Sequence, residues 1–262
     1  QDRTIVPGDS IPAHLKHAII SIEDERFYER DCLDVRAIVR VVVLLGRAGG
    51  GSTITRQLAR NALQLQQDNL INRKLKELVL GCQLERRYSK EELLELYLNW
   101  IPFGQNAYGV EQASKSYFGT STENLTLAQS AVLASLPQRP TYFNPYGRHL
   151  HTTVTPEVEQ DVIEGRVTDV SQINDSAITI GLLGGNVGTG STTLYVGGRT
   201  DQVLSNMQEL GWITEAEHLQ ALEELNEIAF EPAREDIRAP HFVLWVREQV
   251  EEMLAGTQEE GL

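Results

Sequence analysis

Apolar residues return at helical spacing along most of this 262-residue chain, and between about 149 and 197 they stop doing so. A 3.6-residue recurrence fixes which face of each segment can be buried, so it commits the chain to packed helices. Pro12, shortly after Ser10, opens a first helix whose apolar positions run through Ile19, Ile22 and Phe27. A second covers Asp34 to Arg47, and Ser52 caps a third that reaches about Gln66. Asp68 caps the next, through "NRKLKELVLGCQLERRY", while "SKEE" (Ser89 to Glu92) and "TEAE" (Thr214 to Glu217) have capping-box spacing. Further helices are expected around 108–118, 126–136, 200–210 and 239–254. The stretch 149–197 is rich in Thr, Val, Gly and Ser, and its β-branched runs between glycine clusters predict short strands or an irregular loop.

Charge is placed unevenly. The chain carries a net charge of −14, yet residues 30–76 hold nine basic and three acidic side chains, and 201–262 hold three basic and fifteen acidic ones. A basic segment in an acidic protein points either to a local anionic ligand, rather than a nucleic-acid surface, or to solvated helix faces of either sign. No run approaches eighteen apolar residues, so none reads as a membrane span. Starting at Gln1 without a methionine, the chain reads as a piece of a longer protein with any anchor upstream. Cys32 and Cys82 fit no metal-binding spacing, and a disulfide between them stays open.

Within the basic segment, "GGGSTITRQLARN" (49–61) runs a glycine turn into a helix. Unpaired N–H groups at such a start bind phosphate, although any helix can begin this way. Arg56 and Arg60 share one face at i, i+4, with Gln57 and Asn61 on the adjacent one. Arg73 and Glu77 repeat the spacing with Lys74 beside them, which alone describes an ordinary surface ion pair. "SIEDERFYER" sets Glu23 and Asp24 in an apolar helix, with Phe27 a turn after Glu23. A carboxylate in that setting either reaches solvent or has a task.

In this order the segments resemble the peptidoglycan glycosyltransferases of family 51, the transglycosylase domain of class A penicillin-binding proteins. The resemblance is carried by "EDERF" (23–27), "GGSTITRQLARN" (50–61), "RKLKE" (73–77) with "YSKEELLELYLN" (88–99), "AYGVEQASKSYFG" (107–119) and "LAQSAVLASLPQRPTYFNP" (127–145). "SNMQELGWITEAE" and "APHFVLWVREQVEE" are similar to the family's closing helices, which lead toward a transpeptidase domain.

The resemblance implies a mainly α fold, a lysozyme-like lobe plus a smaller helical membrane-facing lobe. Residues 1–148 and 198–262 would form the glycosyltransferase domain, interrupted by a 149–197 insertion. It also implies a reaction in which lipid II is polymerised, with inversion, onto a glycan held on polyprenyl pyrophosphate. Glu23 would be the general base and Glu77 the second catalytic carboxylate. Pyrophosphate is already a good leaving group, so Glu77 suits orienting the leaving phosphates better than protonating them. No cofactor is required by the sequence, though a divalent cation (Mg or Mn) could join Glu77 through the pyrophosphate. Arg60, Arg73 and Lys74 would neutralise the pyrophosphate. Asp24, Phe27, Ser52, Thr53, Gln57 and Asn61 would complete the substrate site.

The apolar "VRVVVLLG" (39–46), flanked by Arg36, Arg40 and Arg47, reads either as a buried core helix or, as the resemblance implies, as a contact with the outer face of the bacterial plasma membrane. Departures from the family's pattern are Arg30, Cys32 and Arg56, where the family carries His, Gly and Gln, and Arg60 for Lys. They keep a second reading open, a catalytically weakened scaffold that binds the precursor. A muramidase or lytic transglycosylase is the third, with little use for Arg73, Lys74 and the glycine turn.

Overall fold

A computed structural model describes residues 4–30 and 53–231, apart from 64, 68 and 191. The expected helices at 34–47 and 239–254, the apolar 39–46 stretch, Cys32 and Ser52 lie outside these residues.

The described chain is mainly helical. Helix α1 (Ala13–Glu23) buries Leu15, Ala18 and Ile19, the i, i+3, i+4 face that its sequence marks. It ends at Glu23, short of Phe27, because Asp24 leaves the helical region at φ −162°, ψ 69°. Thr53, not Ser52, caps α2 (Ile54–Ala62), its side chain accepting from the Arg56 N–H. Asn69, not Asp68, caps α3 (Leu70–Glu85) in the same way. Helix α4 (Lys90–Trp100) starts at the expected Ser89–Glu92 capping box. Helices α5 (Val110–Phe118) and α6 (Leu127–Ser135) follow, then α7 (Pro156–Ile163), α8 (Arg199–Glu209) and α9 (Glu215–Glu227). The Thr214–Glu217 box opens α9. Each cap satisfies an otherwise orphaned N–H and contributes about 1 kcal/mol.

Helix α6 is the centre. Seven of its residues are buried, from Ala128 to Ser135, so it is apolar on every side and must be wrapped. Helices α1, α8, α9 and α5 pack around it, while α2 packs on α3 and α4. One cluster fills the interior, including Leu15, Ile19, Ile54, Leu93, Tyr97, Phe103, Tyr117, Val132 and Leu204. Asn99 ties the N-terminal segment to α4, accepting from the Val6 N–H and donating to the Val6 carbonyl, both at 2.8 Å.

Residues 153–196 hold a second, separate cluster around Val162, Ile173, Val187 and Val196. It is built from α7 and two strand pairs, β1 (Thr153–Val154) with β2 (Ile178–Thr179) and the hairpin β3 (Gly185–Thr189) with β4 (Thr192–Val196). Helix α7 departs from the strand-or-loop expectation. Pro156 at its first position and Val158 with Val162 at i, i+4 explain it.

This small module does not hang free at its base. Leu182 and Leu183, from the middle of the stretch, are buried in the main cluster. The Leu182 N–H donates to His149 O, the Thr152 N–H to Leu183 O and the Arg199 N–H to Gly181 O. Three chain segments are thereby woven together so tightly that a Cβ at Gly181 would lie 2.3 Å from the His151 carbonyl carbon.

Candidate active site

Helix α2 stands between the two carboxylates singled out by sequence, and its successive residues Gln57 and Arg56 each address one of them. The Gln57 side-chain amide donates to Glu23 Oε2 at 2.6 Å. The amide is held in that sense by Tyr97, whose hydroxyl donates to Gln57 Oε1 at 3.2 Å. Tyr97 is fully buried, and burial, followed by the nearby Glu23 charge, pushes its ionisation far up. It therefore stays a donor. Glu23 Oε1 is sheltered from water and accepts no hydrogen bond among the described residues.

Burial raises the Glu23 pKa above the usual carboxylate range, and the Gln57 hydrogen bond and the Arg199 and Arg60 charges pull it partly back. Desolvation wins. Arg199, missed by the sequence reading, occupies the first position of α8 and is 9% exposed. Its NH1 donates to Gln202 at 3.1 Å, and its Nε has no hydrogen-bond partner among the described residues. A cation at a helix N-terminus opposes the helix dipole. That misfit is the signal that an anion elsewhere holds it.

On the other side of α2, Glu77 is completely buried, facing inward on α3 in line with Arg73 and Gly81. Lys74 Nζ lies 3.0 Å from Oε2, Arg56 3.8 Å from the same oxygen and Arg73 Nε 3.8 Å from Oε1. Gly81 admits Arg56: a Cβ there would come within 3.2 Å of the Arg56 Cγ. Arg60, half-buried a turn beyond Arg56, is electrostatically coupled to both Arg56 and Glu23.

Several expected substrate contacts have other partners. Asp24 is buried, pairs with Arg30 and accepts from the Ile54 N–H at 3.2 Å. Phe27 is 1% exposed within the core, with Lys90 4.9 Å above its ring. Both side chains are buried and engaged within the protein in this structure. Gln57 likewise orients Glu23 from a buried position. Arg60, Asn61, Arg73 and Lys74 keep partial exposure. Thr53 is partly exposed and spends its side chain as the α2 cap. The pairing of Cys82 with Cys32 falls outside the described residues.

Comparison with known proteins decides the family, since the sequence profile described as Transglycosylase matches residues 1–164. The chain belongs to the transglycosylase family. This transglycosylase is 47% identical over 149 residues to penicillin-binding protein 1A of Clostridium tetani, covering 54% of this chain and 19% of that one. It is 39% identical over 178 residues to penicillin-binding protein 1F of Bacillus subtilis, covering 66% and 24%. Penicillin-binding protein 2a of Streptococcus pneumoniae is also 39% identical over 178 residues, covering 68% and 24%. The chain thus spans between 19% and 24% of the length of these relatives.

Proposed function

We propose that this transglycosylase domain polymerises lipid II, transferring a glycan from polyprenyl pyrophosphate to the acceptor's sugar 4-hydroxyl. The observation that carries the reading is Glu23, a half-buried carboxylate with one oxygen held by Gln57 and the other without a hydrogen bond among the described residues. A base so placed has a raised affinity for a proton, and Gln57 holds its carboxylate in one orientation. The acceptor oxygen forms a bond to the donor's anomeric carbon as its proton passes to Glu23. The bond from that carbon to the pyrophosphate breaks on the opposite face, and its electron pair leaves with the phosphates. Inversion follows. Charge developing on the pyrophosphate is met by Arg60, Arg73 and Lys74, fixed in advance, where electrostatic stabilisation is worth most.

A membrane-bound substrate fits a further feature. Helix α3 turns Arg73 and Glu77 inward, and on its opposite face exposes Ile71, Leu75 and Val79 at i, i+4, i+8, each 49–56% accessible. That apolar stripe suits the surface of a bilayer. No described helix is long and apolar enough to cross a membrane. An anchoring segment and a transpeptidase domain, on the outer face of a bacterial plasma membrane, belong to the same proposal.

The test is incubation with labelled lipid II. Formation of long glycan that is lost in Glu23→Gln supports the reading. Cleavage of preformed glycan would replace it with a lytic activity, and binding without turnover would replace it with a scaffold.

A further inference from the structure

We infer that Gly181, Leu182 and Leu183 brace the proposed general base: they fix the first turn of α8, and with it the Arg199 charge, beside the Glu23 end of α1. Arg199 is thereby a positioning residue, and the inference rests on the assignment of Glu23 as the base.

The start of a helix leaves its first four N–H groups without partners inside the helix. In α8 two of them are met by a segment distant in the chain. The Arg199 N–H donates to Gly181 O and the Thr200 N–H to Leu182 O, both at 2.9 Å. The Thr200 hydroxyl donates to the same Leu182 oxygen, also at 2.9 Å. On its other edge the segment is held by the Leu182 N–H on His149 O at 2.8 Å and the Leu183 N–H on Leu150 O at 2.7 Å. The Leu182 and Leu183 side chains anchor it in the main core. The fit leaves no slack, since a Cβ at Gly198 would lie 2.3 Å from the Leu183 carbonyl carbon.

Arg199, Val203, Asn206 and Met207 follow i, i+4, i+7, i+8 and share one face of α8. Val203 and Met207 are fully buried, and the Asn206 amide donates at 3.0 Å to Ser21 O in the last turn of α1. That face therefore lies along α1. The Arg199 guanidinium hydrogen-bonds the neutral Gln202 of its own helix and makes no ion pair among the described residues. A buried charge without an adjacent counter-ion is costly, and Glu23 is the anion that attracts it, while Arg139 repels it. The charged and titratable groups around Glu23 are Arg199 on α8, Arg60 on α2 and Tyr97 on α4, with the neutral Gln57 amide bonded to it. The adjoining Asp24 is engaged by Arg30. Arg199 and Arg60 both favour the ionised Glu23 that accepts a proton, and that attraction weakens with distance. Displacing the start of α8 therefore changes the base without touching it.

The experiment follows Glu23 directly, through the carboxyl carbon NMR signal of glutamate-labelled protein, assigned by its loss in Glu23→Gln, alongside the pH profile of lipid II polymerisation. Arg199→Gln should shift the Glu23 titration midpoint upward, and Arg199→Lys, which keeps the charge, should hold it near wild type. Gly198→Ala, which forces the start of α8 off Leu183, should shift it upward with Arg199 intact. Combining Gly198→Ala with Arg199→Gln should give no larger shift than Arg199→Gln alone, because both act through one charge. Val162→Ala loosens the outer module around Val187 and Val196, leaves 181–183 in place and should not move the midpoint. An unmoved midpoint in Gly198→Ala would overturn the inference, as would additive shifts in the combined variant or an equal shift in Val162→Ala. Should Gly198→Ala not fold, Thr200→Val, which removes the hydroxyl bond to Leu182 O, is judged by the same criteria. Shifts of the expected pattern in a protein that makes no polymer would sink the proposed reaction and leave the brace standing.

Discussion

Replacing Glu23 by Gln should separate two quantities that usually fall together, activity and stability. The amide keeps the size of the side chain and can still accept the Gln57 hydrogen bond, but it cannot take a proton. Loss of a general base removes about 10²–10⁴ of the rate, so polymerisation should drop at least a hundredfold. Stability should move the other way. Burial holds the Glu23 pKa above its unfolded value, against the opposing pull of Gln57, Arg199 and Arg60. The folded protein therefore binds this proton more tightly than the unfolded chain does, and ionising Glu23 weakens the fold. That stabilising contribution is complete below the unfolded pKa and is lost as pH rises through the folded one. At neutral pH the wild type carries the penalty and the Gln variant does not. Each tenfold preference for the proton in the folded state is worth about 1.4 kcal/mol, and a kcal/mol moves the midpoint of a domain this size by about 2–4 °C. Thermal melts at pH 7.5 should place Glu23→Gln above wild type, with the gap closing as pH falls below the carboxylate range. A midpoint at or below wild type at pH 7.5, or a gap that does not change with pH, would refute the reasoning.

Arg199→Gln should move the acid limb of the kcat/KM–pH profile upward, because removing a positive charge beside Glu23 favours its protonated form; an unmoved or lowered limb counts against the pairing. Glu77→Gln should cost about 3 kcal/mol, since it leaves Arg56, Arg73 and Lys74 facing one another without their shared anion. Part of that loss should return on adding pyrophosphate or sulfate, which calorimetric melts would detect. Joining Thr152 to Gly181 through a short Gly linker, and Gly184 to Gly197 likewise, should remove the small module and leave a cooperatively melting domain. The Thr152 hydroxyl already accepts from the Gly181 N–H at 2.9 Å and lies 3.1 Å from Gly197 O. Deleting all of 149–197 should instead cripple folding, because Leu182 and Leu183 leave with it.

The carboxylates, the cations beside Glu77 and the two capping boxes were legible because each depends on residues within a turn or two of one another. Helix starts were misplaced by one residue at Ser52 and Asp68, since Thr53 and Asn69 are equally good caps and local sequence does not choose between neighbours. Partners distant in the chain were not legible. Tyr97 reaches Gln57 across forty residues, and Arg199 faces Glu23 from the far side of the interrupted stretch. Gln57 read as a ligand contact because an amide on a helix carries no mark of which way it points. The close packing of Arg56 on Gly81 of another helix was equally hidden. Helix α7 was masked by its setting among glycines and threonines, although Val158 and Val162 have helical spacing.

The clasp at Asp24 has a consequence for how this protein can vary. One carboxylate receives Arg30 on one oxygen and the Ile54 N–H on the other, so two points distant in the chain are pinned together beside the end of α1. Removing that carboxylate, as in Asp24→Ala, should therefore loosen the end of α1 and the start of α2 together, through a side chain that need never touch substrate.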